Sequence, residues 1–132
     1  MPVRSLSSSV LRWPDPRTVI AAARQWARRL ADCAPDVLAV GCFGSYARGD
    51  AGVGSDLDLV VIVDRERGAI DPSDEAWATE HLPVPVERLV YTARQWAKLR
   101  ESDSRFYRVL LREARWLVGA PPDPTQPTGE GG

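Results

Sequence analysis

The chain has 132 residues, with 17 Lys and Arg against 18 Asp and Glu for a formal charge of −1. A chain of that length buries one core, and its near-neutral balance excludes the broad basic footprint of a long nucleic-acid binder. Hydrophobic residues at 44% and five tryptophans exclude disorder for the body of the chain.

In chain order, a serine-rich opening leads to Asp15-Pro16, which reads as an N-cap with proline at the first helical position. The helix is expected to reach about Cys33, where Pro35 follows, with Val19, Ile20, Ala23, Trp26, Ala27 and Leu30 as one buried stripe. "DVLAVGCF" (36–43) reads as a buried strand ending at Gly44. "LDLVVIV" (57–63) is apolar without alternation in its second half, which predicts a central strand covered on both faces.

Asp71-Pro72 is expected to cap a helix through about Glu80 that carries Trp77 inward, and "VPVERLVYT" (84–92) to supply a third strand. Thr92 then caps a helix through Trp96 and Leu99. A last helix is marked by Ser102 or Asp103 as cap, with Phe106, Val109, Leu110 and Ala114 on one face. "WLVG" (116–119) reads as an edge strand, and the Pro- and Gly-rich end as a disordered tail.

The organisation expected is an N-terminal segment (1–14), one domain (15–119) and a tail (120–132). The fold class is α/β or α+β, a small mixed sheet flanked by helices. The arginine groups Arg24, Arg28, Arg29 and Arg105, Arg108, Arg112, Arg115 read as solvated helix faces. Cys33 and Cys42 lack metal or disulfide spacing. With no apolar h-region at the start and no apolar run of about eighteen residues, the default compartment is the cytoplasm.

The chemistry concentrates in "GSYARGDAGVGSDLDLVVIV" (44–63). In a strand, Asp56 and Asp58 project to one side, where two like charges raise each other's pKa unless a cation lies between them. A hard divalent cation such as magnesium accepts such oxygen ligands and keeps positions open for phosphates. D-x-D at a strand start is, taken alone, more often a solvated edge. Here, though, Gly44-Ser45 and a short helix through Tyr46, Ala47 and Arg48 would turn backbone N–H groups outward as an anion cradle. Glu87 is a third carboxylate, in an apolar strand: either Arg88 or another arginine pairs with it, or, if this strand lies beside that of Asp56 and Asp58, it joins the two aspartates.

Gly44-Ser45, ten intervening residues, Asp56-Leu57-Asp58 and the later Val86-Glu87 strand together resemble the signature of the DNA polymerase β-like nucleotidyltransferase superfamily, and in particular its minimal nucleotidyltransferase branch. The resemblance implies two magnesium ions on Asp56 and Asp58, with Glu87, where relatives more often have aspartate, as third ligand and helper of the attacking hydroxyl. It further implies Gly44 and Ser45 as the triphosphate-binding turn, Ser55 as a turn hydroxyl, and Arg48 either on phosphate or in a salt bridge to Asp50. A nucleoside monophosphate, AMP from ATP, would pass to an acceptor.

Larger relatives grip the acceptor with a further domain, for which no residues are expected here, leaving a shallow surface, a second copy or a separate protein. Stand-alone members resemble the antitoxin half of pairs with a helical HEPN partner, which becomes the acceptor. Two alternatives stand beside this: transfer to a small hydroxyl compound such as an aminoglycoside, and a non-catalytic interaction module. Dinucleotide and P-loop readings fail for lack of their glycine patterns, and His81, the single histidine, reads as decoration of a helix end rather than as a catalyst.

Overall fold

The most apolar run of the chain becomes an interior strand. In the computed structural model, which describes residues 14–64 and 77–122, Leu57–Val63 (β2) lies between Val37–Phe43 (β1) and Val86–Thr92 (β3). Arg115–Gly119 (β4) forms the edge beyond β1, giving the order β3-β2-β1-β4. The sheet is mixed: β1 runs antiparallel to β2 and β4, and β3 runs parallel to β2.

Four helices are described: Pro16–Cys33 (α1), Ser45–Arg48 (α2), Ala93–Ser102 (α3) and Arg105–Glu113 (α4). The period-two alternation of the strands divides the interior into two layers. On one face Leu57, Leu59, Val61 and Val63 pack with Val40, Cys42 and the α1 stripe of Val19, Ala23, Trp26, Ala27 and Leu30. On the other, Ala39, Val60 and Ile62 pack with Trp96, Tyr107 and Leu110 from α3 and α4. Each fully buried aliphatic of this kind contributes about 1.5–3 kcal/mol. Trp26 also donates its indole N–H to the Ala78 carbonyl at 2.9 Å, tying α1 to the segment that leads into β3.

The mixed α+β sheet is as the sequence predicts, and β2 falls on the expected residues. Several local expectations need correction. Asp15 occupies the N-cap of α1 with Pro16 after it, yet its side chain makes no capping bond. β1 begins at Val37 and β3 at Val86, one and two residues later than expected.

The cap of α4 is neither Ser102 nor Asp103 but Ser104, whose Oγ accepts from the Tyr107 N–H at 3.1 Å. Asp103 instead ends α3 in a left-handed conformation (φ 49°). That shifts the phase of α4, so Tyr107 and Leu110 are buried while Phe106 remains 42% exposed. Thr92 does cap α3, in a reciprocal capping box with Gln95.

The helix expected from Asp71 falls largely outside the described residues, and where it was expected to end, residues 78–80 are not helical. Trp77 is nonetheless buried. His81 lies in a turn rather than at a helix end, its Nε2 3.0 Å from the Arg29 guanidinium. Most of the expected N-terminal segment and tail, residues 1–13 and 123–132, also lies outside the described residues. Among the described residues no helix is long and apolar enough to cross a membrane.

Candidate functional site

Asp58 is the one residue of β2 that is not fully buried. Its parity with Val60 and Ile62 places it on the α3/α4 face, at the end of the sheet where β2 and β3 begin. The parallel register sets Asp58 level with Glu87, and Leu89 and Tyr91, two and four residues further along β3, pack on the same face. Adjacent strands lie about 4.8 Å apart. Asp56, just before β2, is exposed, as is Glu87.

Asp58 and Glu87 therefore share one face of the sheet, and Asp56 precedes Asp58 at the same end. Their crowding is felt at Asp58, whose carboxyl is raised above the usual range first by burial, then by the charges of Asp56 and Glu87; Arg48 acts in the opposite sense. As the side chains stand, no three His, Cys, Asp or Glu among the described residues are gathered into a metal cage. The donor set still suits a hard cation: carboxylate oxygens alone, on a paired strand end, under a like-charge pressure that a cation relieves.

Gly44 joins β1 to α2 with φ 78° and ψ −152°. Such a backbone strongly favours glycine, and a Cβ at this position would collide with Oδ2 of Asp58. The turn therefore passes directly against the carboxylate, with Ser45 as the first residue of α2. The first N–H groups of any helix lack intrahelical acceptors. At four residues, however, α2 has a negligible macrodipole, so the turn offers local donors rather than a helix field.

Arg48, the last residue of α2, forms the salt bridge to Asp50 (Nε to Oδ2, 3.2 Å) and a second to Glu113 at the end of α4 (Nη1 to Oε1, 3.2 Å). Ser55 Oγ accepts from the Gly52 N–H at 2.9 Å, and the Ser55 carbonyl accepts from the Tyr46 hydroxyl at 3.4 Å, which fixes the loop delivering Asp56. Of the alternatives for Glu87, the ion pair with Arg88 does not form. Neighbouring residues of a strand face opposite ways, and Arg88 donates to the Trp77 carbonyl instead.

Sequence reasoning missed Glu113. It is 65 residues from Arg48, so no local pattern connects them, although it is the only acid in the α4 sequence RFYRVLLRE.

The model of the nucleotidyltransferase domain family matches residues 23–117, which is most of the chain. The chain belongs to that family. The match runs from within α1 to within β4, so the nucleotidyltransferase domain includes the whole sheet except the last residues of its edge.

Among solved structures, the nucleotidyltransferase domain is similar to a Sulfolobus solfataricus protein assigned as a nucleotidyltransferase, at 19% identity and a TM-score of 0.47 over 76% of this chain and 80% of the other. It is also similar to a toxin-antitoxin structure with AMP-PNP, at 15% identity and a TM-score of 0.42 over 74% and 73%. No curated protein matches the chain.

Proposed function

We propose that this nucleotidyltransferase moves AMP from ATP to a protein acceptor, as the antitoxin half of a pair with a helical HEPN-type partner. The observation that carries the catalytic part is the register of Asp58 with Glu87, Asp56 two residues before, against the Gly44 turn. Asp56, Asp58 and Glu87 would hold magnesium, which when bound neutralises charge on the phosphoryl oxygens and lowers the pKa of an attacking hydroxyl.

The chain's own residues supply the rest. Gly44 and Ser45 offer backbone donors and a hydroxyl to the triphosphate, and Arg48 adds a positive charge beside them. Ser55, through its bonds to Gly52 and Tyr46, holds the loop that presents Asp56. Glu87 would help to activate the acceptor hydroxyl by taking its proton.

The choice of a protein acceptor is supported by openness. Asp56 and Glu87 are exposed, and the neighbouring α4 presents Phe106 (42% exposed) and Leu111 (46%) among Arg105, Arg108 and Arg112. A small hydroxyl compound needs a concave pocket to be held. An acceptor protein brings its own surface.

The test is incubation with magnesium and ATP labelled at the α-phosphate, with and without the product of the adjoining reading frame. Label on that polypeptide is the expected result. Label on an added aminoglycoside instead favours the small-molecule reading, and no label with intact neutralisation by Asp56→Asn/Asp58→Asn favours a non-catalytic module.

A further inference from the structure

The guanidinium of Arg48 is held at two of its three nitrogens. Asp50, two residues on, takes Nε, and Glu113, arriving from the end of α4, takes Nη1. The two partners are unlike. Asp50 has a side chain 62% exposed on the same local loop, whereas Glu113 is 24% exposed and belongs to a helix whose Tyr107 and Leu110 are anchored in the core.

A surface pair between two free side chains contributes little. A pair with one partner on a core-anchored helix fixes a direction, because that partner cannot follow the other about. The third nitrogen, Nη2, has no hydrogen bond among the described residues. Arg48 also lies close enough to Asp58 for its charge to be felt there. Arg48 is thus steered from two sides while one edge of its fork stays open.

We infer that Glu113 is a positioning residue that holds the Arg48 guanidinium with its Nη2 edge turned to the triphosphate of a bound nucleotide. The inference rests on the nucleotide reading of the site. Glu113 touches no substrate; it acts through Arg48, and so connects α4 to the phosphate turn at the end of β1.

Two measurements test it on the full chain. In protein labelled with ¹⁵N, the Arg48 Nη signals, assigned with Arg48→Lys, are expected to be resolved at low temperature in the wild type and merged in Glu113→Gln, because rotation about the Nε–Cζ bond is freed. In calorimetric titration with magnesium and ATP, Glu113→Gln is expected to weaken binding about five- to tenfold. Glu113→Asp should recover part of the loss, and Arg48→Gln/Glu113→Gln should bind no more weakly than Arg48→Gln alone.

Wild-type-like binding by Glu113→Gln, or a double variant weaker than Arg48→Gln by the full Glu113 factor, overturns the inference and leaves the nucleotide reading intact. A wild-type chain that binds no ATP removes that reading and, with it, the target of Arg48. Unchanged Nη signals in Glu113→Gln overturn the positioning itself, whatever binds.

Discussion

Asp58 and Glu87 stand level on adjacent parallel strands and on the same face, so β2 and β3 between them bring two carboxylates together at one end of the sheet. Burial and the charges of Asp56 and Glu87 raise the Asp58 carboxyl, so the ionised site is under pressure in the folded state. Asp58→Asn is expected to relieve it. Without metal, that variant should melt higher than the wild type at neutral pH, while losing transfer activity by about a hundredfold or more. A metal-free variant that melts lower than the wild type at neutral pH contradicts the pressure argument.

The pH dependence follows with a definite sign. A carboxyl raised in the folded state binds its proton there more readily than in the unfolded chain. The unfavourable contribution of Asp58 is therefore fully present above its folded pKa and disappears as pH falls below the unfolded value, opposite to a carboxylate lowered by a salt bridge. Glu87→Gln removes one cause of the shift. The Asp58 midpoint, followed by carboxyl ¹³C chemical shift, should move downward in that variant; an unmoved midpoint would mean the two charges do not meet across the strands.

Gly44→Ala combines a positive φ with a Cβ aimed at Asp58 Oδ2. Its expected cost is about 1–3 kcal/mol in urea unfolding, within the range for strained backbone positions. The same variant must displace the Asp58 carboxylate, so ATP and magnesium binding should fall more than stability alone explains. The pair Gly44→Ala/Asp58→Gly, which vacates the colliding atoms, separates the two effects: stability should recover in part and binding should not.

Much of this geometry was legible because it is local. The Asp56-Leu57-Asp58 spacing, the apolar continuity of 57–63 and the Thr92 cap are each fixed within a few residues, and each is where the sequence places it. The start of α4 was misjudged because Ser102, Asp103 and Ser104 are all competent caps, and the choice among them was made by the left-handed turn at Asp103 and by the need to bury Tyr107 rather than Phe106. Arg88 bonding to Trp77 and Glu113 reaching Arg48 depend on how distant segments pack. No periodicity in the sequence encodes such contacts.

The two cysteines divide sharply, and the division can be measured. Cys33 is exposed at the end of α1, whereas Cys42 is buried in β1 with its thiol pushed up to about 11 by burial, against an opposing effect of Arg115 and with a smaller rise from Asp58. At pH 8 one thiol per native chain should react quickly with an aromatic disulfide reagent, and the second only on unfolding.

Because the folded thiol keeps its proton where the unfolded one has lost it, Cys42 stabilises the fold up to about pH 9 and that contribution is lost progressively toward pH 11. The loss is of the order of 2–3 kcal/mol at most. Cys42→Ala should flatten the alkaline limb of the stability profile relative to the wild type, although its stability at neutral pH is lower through the lost packing. An alkaline limb that keeps its slope in Cys42→Ala would assign the loss to other groups.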